Sequence, residues 1–415
     1  MRLVAILSEA RNKVLAKSKV LILLYCYIVI FCFGQLVRVS WHLPEVNIHL
    51  ADIIVGLLVS TWLIWKLVKR DKFIFPPLTK QIFLFFFIAV SSLAINSADI
   101  LSGREMFVSW LYLFRWLFYS GLYFVVYDLG QMKISNFKFQ ISNWLIGAGL
   151  VSAILGLAQY AFLPDTRFLE ASGWDPHYYR LIGTFLDPGF LGAIFVLALI
   201  LLTIKLWPLK KLSWQAFFWL IIYSALALTY SRASYLAYLG AMGTIAWIRR
   251  APKFFLAVLV AGVITVLVLP RPGGEGVKLE RESTIRFRLI NWQQSLTIAK
   301  DHLLFGVGFN AYRYVQRDYG YLDFANWRVS HSGGGADSSL LFTLATTGIF
   351  GLLAYLWLWG KIFVNSFKTS NLVVLASVVA LVVHSWFVNS LFYPWIMAWM
   401  WIILGMGAIK ERKLP

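Results

Sequence analysis

Charged residues, acidic ones above all, are scarce in this sequence. Only 14% of the 415 residues are charged, whereas soluble domains average about 25%. Hydrophobic residues account for 60% of the chain, and its mean hydropathy is +0.72. Water is therefore excluded as the main solvent. Apolar runs of roughly 17 to 22 residues, separated by short polar stretches, indicate an integral membrane protein instead.

The shortage of acidic residues leaves a large positive charge. The chain has 19 acidic residues against 38 lysines and arginines, a formal net charge of +19. Such an excess suits a nucleic-acid partner, but the basic residues form short clusters at the ends of apolar runs rather than one basic and aromatic face. That pattern indicates orientation in a membrane and argues against nucleic acid as a partner.

Cysteine is almost absent, and motifs for metal binding are missing. Cys26 and Cys32 both fall within the first apolar run, which argues against a disulfide framework or a zinc site. The loops predicted to be external contain no Asp-x-Asp pair, no histidine cluster and no paired carboxylates at glycosidase-like positions. We therefore expect no metal and no cofactor. Internal repeats like those of secondary transporters are also missing.

Twelve apolar runs predict an all-α polytopic membrane protein with a single integral domain over residues 1–415. The first run begins near Lys19 after a basic stretch, and no small-residue cleavage site follows it. We therefore expect a retained span rather than a removed signal peptide. The predicted spans cover residues 20–37, 48–67, 80–96, 108–128, 143–163, 190–206, 213–230, 232–248, 253–270, 338–360, 372–389 and 393–409.

The basic clusters predict how these spans are oriented. If the basic N-terminus is cytoplasmic, the other lysine and arginine clusters fall on the same side, as the positive-inside rule requires. Both termini are then cytoplasmic, and residues 164–189 and 271–337 lie outside. Residues 271–337 join the ninth and tenth predicted spans, and loops of such length are usually functional or disordered. Their aromatic content argues against disorder and predicts amphipathic helices on the bilayer surface that form part of the active site.

Two arginines stand out at the predicted external ends of the spans. Arg180 has no local partner, which leaves anion binding and contact with a lipid headgroup as open alternatives. Nearby, Asp187 in an Asp-Pro-Gly turn is expected to cap the sixth span. Arg232 follows Ser231 between two apolar runs with almost no loop. Its side chain either extends to the membrane interface or is a fixed cation that binds a phosphate, whose oxygens match the planar guanidinium group.

A second pair of arginines lies in the long predicted loop. The pattern predicts an amphipathic helix with Arg286 and Arg288 in its first turns, ended by the glycines Gly306 and Gly308. Contact with lipid headgroups and binding of a substrate are equally compatible with these arginines.

The end of the same loop offers two groups for proton transfer. His331 is followed by three glycines, and Asp337 stands where an apolar helix begins. Asp337 is expected to cap that helix, to act as a general base beside bound substrate, or to do both. His331 is the other candidate because histidine has an ordinary pKa of about 6.5.

In order and spacing, these segments resemble the O-antigen ligase and O-antigen polymerase superfamily of bacterial envelopes. The likeness covers roughly residues 170–360. The matching stretches, in chain order, are Arg180-x-x-Gly-x-x-x-x-Pro188, Ser231-Arg232-Ala, Arg288-x-x-x-Trp292 through Gly306-x-Gly308, and Asp337-Ser338-x-x-Leu341 through Gly348-x-x-Gly351.

The resemblance implies an inverting, metal-independent glycosyltransferase in the bacterial cytoplasmic membrane. Its donor is a polyprenyl pyrophosphate-linked oligosaccharide, and its acceptor is a hydroxyl of a glycan, lipid or protein on the outer face. Preorganised cations stabilise the charge that develops on a leaving pyrophosphate. We expect this role for the arginines Arg180, Arg232, Arg286 and Arg288. Six aromatic residues suit stacking on sugars or anchoring at the interface: Trp174, Tyr178, Tyr179, Trp292, Tyr312 and Trp327.

One departure from the family bears on the reaction. Ligases of the superfamily usually have His-Asn where this chain has Asp337-Ser338. The resemblance implies that the residue at the position of Asp337 is the catalytic one. We therefore expect Asp337, ahead of His331, to be the base, and a polymerase ahead of a ligase.

Two functions of other classes compete with glycan transfer. A transporter or flippase needs ionisable residues within its spans, and Arg115 and His384 are the clear candidates. Packing or an interior polar contact explains both equally well. An assembly protein without catalysis would tolerate the loss of its external arginines.

Overall fold

A computed structural model describes residues 18–40, 46–96, 101–131, 136–208, 213–322, 327–328 and 335–409. Over these ranges the chain is helical apart from one antiparallel pair of short strands, β1 (Arg38–Ser40) and β2 (Asn47–His49). The helices are α1 (Ser18–Phe31), α2 (Leu50–Val68), α3 (Thr79–Asn96), α4 (Gly103–Gly130), α5 (Phe137–Phe162), α6 (Pro188–Leu206), α7 (Trp214–Leu228), α8 (Arg232–Ile248), α9 (Pro252–Val268), α10 (Ser283–Asp301), α11 (Tyr312–Asp318), α12 (Ser339–Lys368), α13 (Leu372–Ser385) and α14 (Pro394–Ala408).

Each predicted span coincides with one of these helices. Within the described ranges, α2, α3, α5, α6 and α12 are long and apolar enough to cross a membrane. The helices α1, α7, α9, α13 and α14 are apolar but shorter. The chain is therefore an α-helical protein with several candidate membrane spans, whereas the number twelve and the external position of residues 271–337 stay predictions.

Helices α6 and α14 form the centre of the bundle because their sequences are apolar on every side, which suits complete burial. Leu191 to Leu202 on α6 are buried without interruption, and so are the residues from Trp395 to Met406 on α14. Helix α14 packs against α4, while α13 packs against α8.

Capping residues set where the functional helices begin. Asp187 Oδ1 accepts a hydrogen bond from the Phe190 amide at 2.7 Å, which confirms the predicted cap of α6. Ser231 Oγ accepts from the Ser234 amide at 3.4 Å at the start of α8. At α12 the predicted cap at Asp337 is wrong, because Ser338 stands at the N-cap position, although its side chain accepts no capping hydrogen bond. The Asp337 carboxylate, one residue earlier, is thus not needed to cap the helix.

The predicted amphipathic helix is present as α10, but the glycines do not end it. The helix stops at Asp301, and Gly306 and Gly308 lie beyond it, against a break in α12 at Gly348 (φ 66°, ψ −167°). A Cβ atom on Gly348 would lie 2.2 Å from the Leu304 carbonyl oxygen, so only glycine fits. The segment after α10 is therefore docked into a helix that the sequence pattern predicts to be continuous.

Backbone hydrogen bonds hold this junction together, since the break at Gly348 leaves α12 with carbonyl groups that its own turns do not satisfy. The Val307 amide donates to the Ala345 oxygen at 2.9 Å, and the Gly308 amide donates to the Thr346 oxygen at 3.0 Å. Helix α10 is consequently fixed in place beside the start of α12.

Candidate functional site

Four arginines from separate segments share one electrostatic environment at the end of the bundle where α6, α8 and α12 begin. We call Arg180, Arg232, Arg281 and Arg288 the arginine cluster. Burial and the neighbouring Arg281 lower the pKa of Arg180 to about 9. Burial, then Arg232 and Arg288, lower the pKa of Arg281 to about 10. Both values lie above 7, so these side chains stay charged at neutral pH.

The pKa of a histidine next to the cluster is lowered by the same positive charges. His177 is buried between α5 and α6, and its pKa is lowered to about 3 by burial, by Arg180 and by Arg281. Its imidazole is therefore neutral at physiological pH.

The guanidinium of Arg232 is held by backbone carbonyl groups. Its Nη1 donates to the Leu279 oxygen at 3.1 Å and to the Arg281 oxygen at 3.2 Å, while its Nη2 is buried and has no hydrogen-bond partner in the described chain. Buried donors are rarely left unpaired. Arg232 is thus oriented by the protein with one donor available to a ligand.

Arg281 ties the loop before α10 to the start of α8. Its Nη1 donates to the Gly276 oxygen at 2.9 Å and to the Lys278 oxygen at 2.8 Å, and Nη2 donates to the Tyr230 oxygen at 3.4 Å. Arg180 is fixed similarly, because its Nε donates to the Thr229 oxygen at 3.1 Å. Backbone carbonyl groups therefore hold these three arginine side chains in defined positions.

No described carboxylate forms a salt bridge with any member of the arginine cluster. Asp175, Asp187 and Asp337 interact with the cluster through longer-range electrostatics. Burial raises the pKa of Asp187, which weakens its contribution as a counter-charge. A buried cation that lacks a counter-ion is costly. The cluster is therefore suited to a bound anion.

Asp337 lies beside the arginine cluster, and its carboxyl group has an unusually high pKa. Burial raises the pKa of its carboxyl to about 6, Arg288 opposes that rise, and Asp175 and Asp187 add to it. A carboxylate with a pKa near the working pH is an efficient general base.

Asn291 on α10 holds the backbone that carries Asp337. Its Oδ1 accepts a hydrogen bond from the Asp337 amide at 2.7 Å, and its Nδ2 donates to the Gly335 oxygen at 3.4 Å. Arg288 precedes Asn291 by three residues, which places both side chains on one face of α10. One face of α10 therefore carries both the Arg288 cation and the Asn291 side chain that holds the backbone of Asp337.

A buried polar network lies behind the start of α8. Ser234 Oγ lies 2.8 Å from Ser231 Oγ and 3.2 Å from His384 Nε2, and it donates to the Gly189 oxygen at 3.2 Å. This network joins α8, α13 and the first turn of α6, which together position Arg232. His384 thus makes an interior polar contact, one of the two explanations that the sequence allowed.

The structure separates the predicted site residues into two groups. Arg180, Arg232, Arg288 and Asp337 come together as described. Arg286 is exposed on α10, and none of the contacts described for the chain joins it to the cluster. His331 lies outside the described residues, so its role stays a prediction.

Two of the aromatic residues expected to meet sugars are buried. Tyr312 is 1% exposed and Trp327 is 7% exposed, so both belong to the packed part of the loop and cannot stack on a substrate. Tyr178 and Tyr179 are half-buried and contact each other edge to face, with ring centroids 4.6 Å apart. The ring centroids of Trp292 and Phe387 lie 6.4 Å apart, and the Arg288 guanidinium lies 5.9 Å from the centroid of the same Phe387 ring.

Two site residues escaped the prediction. Arg281 stands between Glu280 and Glu282, so in the sequence it looks like part of a solvated charge run. Asn291 offers one usable signal, its spacing of three residues from Arg288 on a predicted helix. Among the described residues, no three His, Cys, Asp or Glu side chains are grouped as metal ligands would be.

Comparison with known protein families identifies a stretch of this chain. Residues 215–356 match the family model described as O-antigen ligase. This range runs from α7 into α12 and contains Arg232, Arg281, Arg288 and Asp337, whereas Arg180 precedes it. The match confirms the resemblance noted from the sequence. No curated protein matches the chain.

Proposed function

Because residues 215–356 match the family model described as O-antigen ligase, we propose that the chain transfers a glycan from a polyprenyl pyrophosphate-linked donor to an acceptor hydroxyl on the outer face of the bacterial cytoplasmic membrane. The observation that carries the proposal is the arginine cluster, which no described carboxylate neutralises. Pyrophosphate oxygens accept charge-assisted, paired hydrogen bonds from guanidinium groups, so this ligand supplies the missing counter-charge.

The cluster acts on the leaving group. As the acceptor oxygen bonds to the anomeric carbon, the bond between that carbon and the phosphate oxygen breaks, and the electron pair leaves with the pyrophosphate. Arg232 and Arg288 are charged before the reaction begins and held by the fold, so they stabilise the developing charge without reorganising. One such preorganised donor is typically worth about 3 to 4 kcal/mol of transition-state stabilisation.

Asp337 receives the proton of the acceptor hydroxyl. With its pKa near 6 it is mostly ionised at pH 7, yet basic enough to take a proton as the new bond forms. Asn291 serves as a positioning residue because it fixes the backbone on both sides of Ala336. Attack from the side opposite the leaving pyrophosphate inverts the anomeric carbon. His331 remains the alternative base.

A polymerase is the first form of this proposal and a ligase is the second. Asp337-Ser338 stands where ligases of the superfamily usually carry His-Asn, and this departure favours a growing glycan as the acceptor. A ligase would use the same donor and the same arginines but attach the finished glycan to a lipid or a protein. The two forms differ only in the acceptor.

The test is a transfer reaction with purified full-length protein in detergent. Polyprenyl pyrophosphate-linked oligosaccharide is the donor, and product length is followed on a gel for the wild type, Arg232→Ala and Asp337→Asn. Arg286→Ala is the matched control, because Arg286 is an exposed arginine two residues before Arg288. A polymerase yields a ladder of longer lipid-linked glycans in the wild type and the control, and almost none in the other two variants.

Other outcomes redirect or reject the proposal. Transfer of the glycan in one step to an added lipid or protein acceptor, without a ladder, would identify a ligase. Absence of turnover with every donor and acceptor, while the folded protein moves lipid-linked glycan across vesicles, would replace glycan transfer by transport.

A further inference from the structure

The connection between α13 and α14, residues 386–393, lies against the segment that carries the proposed base. Its Leu391 amide donates a hydrogen bond to Ser339 Oγ at 3.1 Å, in the first turn of α12. A Cβ atom on Gly335 would lie 3.5 Å from Asn389 Nδ2. The connection therefore contacts the chain both two residues before the base and two residues after it.

Two further segments of the candidate site meet the same connection. On α10, the Trp292 ring stacks on the Phe387 ring with centroids 6.4 Å apart. At the start of α6, a Cβ atom on Gly189 would lie 3.7 Å from Val388 Cγ2. The connection lies outside residues 215–356, so the family match assigns it no role. Its contacts with α6, α10 and α12 nevertheless place it at the site.

Four side chains in these segments have a buried polar atom without a hydrogen-bond partner in the described chain. The atoms are Trp292 Nε1, Ser338 Oγ, Asn389 Oδ1 and Ser390 Oγ. Buried polar atoms are nearly always paired, with protein groups or with ordered water. Together, the four atoms comprise a donor, an acceptor and two hydroxyl groups that do both. Such a mixed set in neighbouring segments suits one polar ligand with several hydroxyl groups.

The chemistry of this set favours a sugar over an anion. All four groups are uncharged, whereas the charges that suit a pyrophosphate belong to the arginine cluster. A sugar hydroxyl both donates and accepts hydrogen bonds, and the apolar face of a sugar ring packs on aromatic side chains such as Trp292 and Phe387. Trp292 and Asn389 are half-buried, whereas Ser338 and Ser390 are fully buried. Direct contact with a sugar therefore falls to Trp292 and Asn389.

The position beside Asp337 decides which sugar is bound. A general base must lie within hydrogen-bond reach of the hydroxyl that it deprotonates, so the groups around it contact the acceptor. We propose that Trp292 and Asn389 bind the acceptor sugar and that Asn389 selects it, an inference that rests on the polymerase form of the proposed function. A terminal amide turns readily about its last bond, so its acceptor and its donors reach different hydroxyl groups. Such a group discriminates strongly between sugars, because a sugar without the matching hydroxyl leaves it unpaired.

The first measurement is the binding of free sugar. Mild acid releases the oligosaccharide from the polyprenyl pyrophosphate donor, and the released glycan has no pyrophosphate to bind the arginine cluster. Its dissociation constant for full-length protein in detergent is measured by titration with saturation-transfer NMR. Asn389→Ala should raise this constant about fivefold for each hydrogen bond lost. Asn365→Ala, which changes a half-buried asparagine near the opposite end of α12, should leave it unchanged.

The second measurement separates recognition of the sugar from support of the backbone. The same oligosaccharide serves as the acceptor in the transfer reaction. Asn389→Ala should raise the KM of this acceptor about as much as its dissociation constant, while kcat and the KM of the lipid-linked donor change far less. Asn389→Gln, which keeps the amide, should recover part of the loss.

The results that contradict the proposal differ from a failure of glycan transfer itself. An unchanged dissociation constant in Asn389→Ala would overturn the proposal and leave the unpaired atoms to ordered water. A fall in kcat at an unchanged acceptor KM would also overturn it, because Asn389 would then only support the segment of Asp337. Glycan binding that Asn389→Ala weakens would support the sugar subsite even if the wild type transferred no glycan.

Discussion

Partly buried arginines occur in two regions of this molecule, and their partners differ between the two. On α4, Arg115 Nη2 lies 2.9 Å from Asp52 Oδ2, and Tyr119 donates to the other carboxylate oxygen at 2.9 Å. Among the described residues, Arg232 of the arginine cluster donates to backbone carbonyl groups alone, and its Nη2 has no partner. Arg115 is therefore neutralised within the fold, and Arg232 is not.

This difference separates a structural cation from a functional one. An internal ion pair is complete without a ligand, as is the buried pair of Lys66 and Asp128 at 2.8 Å. A fixed cation that has hydrogen bonds but no counter-ion is costly unless an anion arrives, and that cost favours binding. The pairing of Arg115 also supplies the interior contact that the sequence allowed, which weakens the case for a transport path through the spans.

The largest effect is expected when the neutralised pair is broken. Arg115→Met leaves the Asp52 carboxylate buried without its partner and should lower the free energy of unfolding by about 3 to 5 kcal/mol. Chemical or thermal unfolding in detergent measures this loss. The double variant Arg115→Met with Asp52→Asn should recover part of it. A single variant as stable as the wild type would show that the pair contributes little.

The opposite result is expected in the arginine cluster. Arg288→Ala removes a half-buried charge that forms no salt bridge with a described carboxylate, so the unfolding temperature should stay unchanged or rise. Its rate of glycan transfer should fall about 100-fold to 1,000-fold, as on loss of a transition-state donor. Arg286→Ala should change neither quantity appreciably. Equal losses of activity in the two variants would contradict the division of α10 into a site face and an exposed face.

Acidification should abolish glycan transfer without unfolding the helical bundle. A base must be deprotonated to act, and the pKa of Asp337 is raised to about 6. The value of kcat/KM should therefore be constant above that pH and fall about tenfold per pH unit below it. The profile is measured for the wild type, Asp337→Asn and His331→Gln. The variant whose residual activity no longer shows this midpoint identifies the base.

A smaller effect is expected at Asn291, which holds the backbone of Asp337. Asn291→Ala removes two hydrogen bonds to the loop and should lower kcat about thirtyfold, if the full value of about 1 kcal/mol for each bond is lost in the transition state. Asn291→Asp keeps the acceptor for the Asp337 amide but adds a negative charge, which should move the pH midpoint upward. Gln293→Ala, an exposed change on the same helix, is the control. Reduced activity with an unmoved midpoint in both Asn291 variants would limit the residue to a structural role.

The local features of the fold were predictable from the sequence, and long-range ones were not. All twelve apolar runs coincide with helices because hydropathy over a span is a property of consecutive residues. The cap at Asp187 was equally local. Asp337 was misplaced as a cap because serine is as common as aspartate at the N-cap position, and only the backbone conformation decides that Ser338 stands there. The break in α12 at Gly348 depends on a segment more than 40 residues earlier.

The same distinction applies to the site. Arg180, Arg232, Arg288 and Asp337 were recognisable as chemically suited residues, and their order resembled a family. Their convergence, the inclusion of Arg281 and the exclusion of Arg286 depend on how separate helices pack.

By itself, the sequence determined that this protein is a helical membrane protein with basic ends to its spans and a set of arginines suited to an anion. It did so because a bilayer requires long apolar runs, and such runs are a local signal. Only the tertiary structure decided which arginines lack a counter-ion, since a salt bridge depends on distances between residues far apart in the chain. Neither the pairing of Arg115 with Asp52 nor the unpaired donor of Arg232 can be read from the sequence.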